Sequence, residues 1–112
     1  MNNEKTIQSL QMEVDAYIGQ FKEGYFPPFE MLARMMEELG ELTREVQHVY
    51  GMKKKKDSEA EQNMEEELGD LLFVLICFAN SQNIDLQQAH NRVMDKFKSR
   101  DKNRWTYKEE QE

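Results

Sequence analysis

Two six-residue segments carry acids at the same positions: Glu37-Glu38-Leu39-Gly40-Glu41-Leu42 and, 29 residues later, Glu66-Glu67-Leu68-Gly69-Asp70-Leu71. In each, an i, i+3 pair of acids (Glu38 with Glu41, Glu67 with Asp70) lies about 60° apart on one helix face. The pairs are equivalent relative to their apolar neighbours, since Glu38 directly precedes Leu39 and Glu67 directly precedes Leu68. If the two helices pack antiparallel, as a short connection favours, four carboxylates converge across one groove. Four such groups raise one another's pKa values unless a cation neutralises them. Oxygen-only donors select a hard ion, Mg²⁺ or Mn²⁺, over zinc. Magnesium completes its shell with waters and substrate phosphates, so the chemistry implied is that of phosphate esters or anhydrides. Gly40 and Gly69 each cost about 1 kcal/mol of helix propensity relative to Ala, which makes sense if something approaches the backbone closely. Glu-Glu-Leu is also ordinary vocabulary of a solvated helix face. The duplication, in register with the apolar positions, favours a site.

The elements that must position these acids are helices. Five Gly and two Pro among 112 residues, with no alternating β-branched or aromatic stretches, leave no sheet to predict. A first helix is predicted from about Glu4 to Phe21, with Ile7, Leu10, Val14, Tyr17 and Ile18 on one stripe. Gly24 and Pro27-Pro28 separate it from a second, Phe29 to Tyr50, closed by Gly51 in the usual place past a helix end. The run Lys53 to Lys56 with Asp57-Ser58 reads as a loop, either a solvated charge run or a lure for phosphates, with Ser58 placed to cap a third helix from Glu59 to Ser81. Asn83 and Asp85 make a turn into a fourth helix, Leu86 to Arg100. Residues 1–105 form one domain, and 106–112 are a polar tail.

Heptad seams run through the two long helices. Leu32, Met35, Leu39, Leu42, Val46 and Val49 mark the second, and Met64, Leu68, Leu71, Leu75 and Phe78 the third. The third is apolar beyond its seam, because Leu72, Phe73, Val74, Ile76 and Cys77 fill its other faces. Three neighbours in so short a chain can hardly cover it, which predicts help from another subunit. The alternative is the central helix of a monomeric bundle.

Fifteen Lys plus Arg against 22 Asp plus Glu give a formal net charge of −7, and the pI is near 4.9. Such a chain lacks the basic footprint of a nucleic-acid binder. The one cysteine, Cys77, excludes an internal disulfide or a thiolate zinc site within the chain. Residues 1–9 have no apolar core of a secretion signal, and the longest apolar run, Leu71 to Ala79, is about half a membrane span. A soluble, cytoplasmic protein with no membrane partner is expected.

Glu37-Glu38-x-x-Glu41 followed by Glu67-x-x-Asp70 and Leu71-Leu72-Phe73 resembles the MazG-type nucleotide pyrophosphohydrolases. Lys22 to Pro27, Lys96 to Arg100 and Asp101 to Trp105 extend the likeness to the short single-domain members, over roughly Gln11 to Trp105. The resemblance implies an all-α, four-helix-type bundle whose sites form in homodimers or homotetramers. It implies Mg²⁺-dependent hydrolysis of a nucleoside triphosphate to the monophosphate and pyrophosphate, with housecleaning of the nucleotide pool as one such duty. Carried over, Glu38, Glu41, Glu67 and Asp70 are metal ligands. Glu37 faces away from the seam and is open to three readings: a group behind the ligands, a water-activating base, or an exposed residue. Lys96 and Arg100 fit a Lys-Phe-x-x-Arg segment that contacts the triphosphate, though cations also suit a helix C-terminus. Asn91 is a further candidate for a polar substrate contact. Trp105 could stack on the base or pack on the bundle. The longer members have two domains. This chain has one, which leaves the base unassigned.

Two other classes stand against this. Glu45-x-x-His48 is the pair used by iron-binding bundles, but such sites need two, and His90 has Gln87, not Glu, three residues before it. His48 then reads as an exposed helix residue. A non-catalytic interaction module explains the seams but leaves the duplicated acids without a reason.

Overall fold

The computed structural model describes residues 4–51 and 63–109. The predicted lysine loop, its Ser58 cap and residues 59–62 lie outside the described residues. Among those described there are four helices and no strand: α1 Ile7–Gly19, α2 Pro28–Tyr50, α3 Met64–Ser81 and α4 Leu86–Arg100. This is the all-α architecture expected.

Capping chemistry sets boundaries that periodicity placed differently. α1 begins at Ile7, not Glu4, because Thr6 and Ser9 close a reciprocal box, Ser9 N–H on Thr6 Oγ1 at 3.0 Å and Thr6 N–H on Ser9 Oγ at 2.8 Å. It ends at Gly19, short of Phe21. α2 starts on Pro28, where a missing N–H costs no helix bond. α3 starts at Met64, five residues after the predicted Glu59, because the side chain of Asn63 accepts from Glu66 N–H at 2.8 Å. Asp85 caps α4 by accepting from the N–H groups of Gln87 and Gln88. Gly51 is extended rather than left-handed. It is small because a Cβ there would meet the Gln47 carbonyl oxygen at 2.7 Å.

The most extensive packing joins α2 to α3. α1 lies on α3, and α4 packs on α1. Glu38 and Glu41 cluster with Glu67 and Asp70, while Met31 and Arg34, earlier in α2, line one cavity with Phe73, Val74 and Cys77, later in α3. The hairpin is therefore antiparallel, as expected.

Its inner face differs from the predicted seams by one residue. Met31, Glu38 and Glu45 are buried on α2, and Glu67, Val74 and Cys77 on α3. Leu39 and Leu68 are each 52% exposed, and Leu32, Val46, Val49 and Leu75 are exposed with them. A one-residue step turns a helical side chain by about 100°. In an antiparallel pair it carries Leu39 and Leu68 to the same side of the hairpin, away from Glu41 and Asp70. The Leu32, Leu39, Leu68 and Leu75 part of the seams therefore forms an outer ridge, while Met35, Leu42, Met64, Leu71 and Phe78 are half-buried beside the interior carboxylates. Leu72 and Phe73 are also exposed. The radius of gyration is 18.4 Å, against about 13 Å for a compact domain of this length.

A polar clasp ties the middle of α1 and the end of α3 to the α1–α2 connection. Gln11 Nε2 donates to Asn80 Oδ1 at 2.9 Å, Asn80 Nδ2 donates to the Gln11 carbonyl and to Tyr25 Oη, and Tyr25 Oη donates to Asp15 at 2.7 Å. Burial and the Asp15 carboxylate push the Tyr25 pKa up to about 12, so the phenol stays a donor. Among the described residues no helix is long and apolar enough to cross a membrane.

Candidate active site

The repeat places its acids where the hairpin brings them together. One carboxylate oxygen from each of Glu38, Glu41, Glu67 and Asp70 lies within 4.8 Å of the others. Glu38 is 6% exposed and Glu67 3%, whereas Glu41 and Asp70 open to solvent. The site therefore has a buried floor of two glutamates and a wet rim of two further acids. Burial, more than any neighbour, pushes the pKa of Glu38 and Glu67 up, and the facing acids push it further. Glu67 meets Glu41, Asp70 and Glu38 as like charges. Glu38 meets Glu41 and Asp70, partly offset by Arg34, whose Nε donates to Glu38 Oε1 at 3.2 Å.

Two oxygens on the floor, Glu38 Oε2 and Glu67 Oε2, are buried and have no hydrogen-bond partner. Leaving charged acceptors dry and unpaired is costly. Four oxygen donors this close, two of them buried, fit a hard divalent cation, which would satisfy the lone pairs and cancel the repulsion at once.

The other candidates lie elsewhere. Glu37 is exposed and outside the cluster. Asn91, Lys96 and Arg100 are on an exposed stretch of α4. The Lys96 and Arg100 cations sit 5.2 and 4.4 Å from the Phe97 ring centre, and Asp101 accepts from Arg100 Nε at 2.9 Å. Trp105 is 65% exposed, with the Arg104 guanidinium 5.0 Å from its ring, so it does not pack on the bundle. His48 corrects the expectation of an exposed residue: its side chain is 5% exposed, 3.8 Å from Glu45. The interior register explains this, because Glu45 follows Glu38 by seven residues on the buried face.

Two features beside the acids were not singled out from sequence. Arg34 is one turn before Glu38, a spacing that could have flagged it. A cavity of about 170 Å³ lies farther along the same groove, lined by Ile18, Tyr25, Phe26, Met31, Phe73 and Cys77 among others, with Arg34 at its edge.

Residues 26–105 match the model of the MazG nucleotide pyrophosphohydrolase domain. The chain is 63% identical over 108 residues to the protein YpjD of Bacillus subtilis (strain 168), covering 96% of this chain and 97% of that one. A crystal structure of Bacillus subtilis YpjD superposes with a TM-score of 0.77 at 61% identity, over 86% of this chain and 98% of that chain. A crystal structure of a Bacillus-conserved MazG protein, a nucleotide pyrophosphohydrolase, gives 0.77 at 60% identity, over 92% and 100%.

Proposed function

This chain belongs to the MazG nucleotide pyrophosphohydrolase family and is a hydrolase, and on that footing we propose that it cleaves a nucleoside triphosphate to the monophosphate and pyrophosphate with a divalent cation, Mg²⁺ or in its place Mn²⁺. The observation that carries the reading is the four-carboxylate cluster with two buried, unpartnered oxygens. Glu38, Glu41, Glu67 and Asp70 would hold the cation. When bound, it would supply positive charge to the phosphate oxygens as negative charge develops there.

The chain's own part is positional. Glu38 and Glu67, fixed by burial between α2 and α3, hold the floor still. Glu41 and Asp70, on the open side, can adjust to incoming phosphate. Glu37, exposed one residue before Glu38, can take a proton from water only at the rim. Lys96, Arg100, Asn91 and Trp105, all exposed, are assigned to substrate as its polar and stacking contacts. A homodimer or homotetramer is proposed for the same reason the leucine ridge is exposed: Leu32, Leu39, Leu68 and Leu75 need a cover of like chemistry. The unit is one domain, residues 1–105, working in the cytoplasm.

Incubation with a panel of canonical and modified nucleoside triphosphates, with Mg²⁺, Mn²⁺ or EDTA, tests the activity. Monophosphate plus pyrophosphate, lost in EDTA, is expected. Diphosphate plus phosphate would reject this cleavage, and absence of turnover would favour an interaction module. Preference for modified bases is what a housecleaning role requires. Assembly is tested by sedimentation: the wild type is expected as a dimer or tetramer and Leu68→Asp as a smaller species. A monomeric wild type would remove the second copy from the account.

A further inference from the structure

The acid repeat is symmetric, but its immediate surroundings are not. Arg34 stands four residues before Glu38, and the equivalent position before Glu67 is Asn63, whose side chain is committed to capping α3. Among the described residues, Glu38 therefore has a guanidinium one turn before it and Glu67 has none at the equivalent position. Arg34 contacts Glu38 through a single donor, Nε, at 3.2 Å. Its side chain is 58% exposed. It also borders the cavity that continues the groove beyond the acids.

We propose that Arg34 is a counter-ion that exchanges partners: without a divalent cation it neutralises Glu38, and with cation and substrate in place it donates to the substrate's phosphates. The inference rests on the triphosphate reading given above. Its physical basis is competition for one carboxylate. A dication held by Glu38, Glu41, Glu67 and Asp70 repels the neighbouring guanidinium and takes over its task of neutralising Glu38. The guanidinium, on a side chain that is 58% exposed, can then reach an incoming polyanion. Its planar fork suits phosphate, and a rigid pair of donors holds such a group in one orientation. Because Arg34 lies between the acids and the cavity, its contact falls where the phosphate chain leaves the cation and runs toward the cavity.

The exchange makes two predictions of opposite sign for one substitution. Arg34→Met keeps the apolar stem against the cavity and removes the charge. In calorimetry without nucleotide it is expected to bind Mn²⁺ about tenfold more tightly than the wild type. With saturating Mn²⁺, the same variant is expected to bind inorganic triphosphate about tenfold more weakly. Arg34→Lys is expected to bind Mn²⁺ like the wild type yet recover only part of the triphosphate affinity, since an ammonium lacks the fork. A residue that merely braces α2 would lower the melting temperature in EDTA and leave Mn²⁺ affinity unchanged or weaker. That result overturns the exchange, as does unchanged triphosphate affinity or a wild type that binds no triphosphate. Neither binding arm uses turnover, so a wild type that binds Mn²⁺ and triphosphate but cleaves no nucleotide rejects the proposed activity and leaves Arg34 to be decided by the two affinities.

Discussion

Glu67→Gln is expected to lower kcat/KM by about 10³-fold while leaving the fold intact, and Glu38→Gln to do the same. Each change removes one charge and almost no volume from the floor of the site, where both residues are buried and each has an oxygen without a partner. A gain of amide hydrogen atoms cannot replace a ligand oxygen, so cation binding suffers at once. Asp70→Asn acts on the rim of the same cluster and is expected to remove most turnover too. Because the four carboxylates work as one site, the Glu38→Gln/Asp70→Asn double variant should be little worse than either single variant. Steady-state kinetics on the four proteins decide this. Strictly multiplying losses would count against a shared cation.

The second large effect is on stability, and its sign reverses with the cation. Burial and like charges raise the pKa of Glu38 and Glu67 in the folded chain. The folded state therefore holds protons that the unfolded state has released, over a window that starts near the usual glutamate value and runs upward. In that window stability falls as pH rises. Below it both states are protonated and the penalty is absent. Asp85 and Asp101 run the other way. Their pKa values are lowered, Asp85 first by the Gln88 N–H and Asp101 first by Arg100, so their contribution is present at neutral pH and lost in acid. The clean measurement is thus the difference between wild type and Glu67→Gln, melted in EDTA from pH 4 to pH 8. The variant is expected to gain relative stability as pH rises. A divalent cation at about 100 times its Kd should add about 2.7 kcal/mol to the wild type, roughly 10 °C for a chain of this size. That gain should shrink in acid, where protons compete for the same oxygens. A Glu67→Gln protein that loses stability at neutral pH in EDTA would point to a structural role instead.

The local signals in the chain were legible as far as one element reaches. Helix count and the meeting of Glu38, Glu41, Glu67 and Asp70 follow from periodicity and a repeat, and the antiparallel hairpin holds although Tyr50 and Met64 stand farther apart in sequence than a short connection assumes. The helix faces did not follow. An apolar-seam rule assigns the interior to Leu39 and Leu68, the best heptad in view, yet the structure buries their neighbours Glu38 and Glu67 and leaves both leucines half exposed. Apolarity marks what must be covered, without saying by which surface. Met31, Glu38 and Glu45 repeat every seven residues and were the available sign of a polar interior. The start of α3 was missed for a different reason: Asn63 competes locally as a cap, and capping overrides a pattern that fades into polar residues. The clasp among Gln11, Tyr25 and Asn80 joins residues up to 69 positions apart, and no spacing rule reaches that far.

The acidic cluster as a cation site is the claim on which the rest stands. Calorimetric titration of Mn²⁺ into the nucleotide-free wild type and Glu67→Gln tests it without relying on turnover. A saturable site in the wild type, weakened at least about 100-fold in the variant, is expected, a loss at or beyond that from removing a partner behind a metal ligand. Equal affinity in the two proteins would place the cation elsewhere and contradict the account.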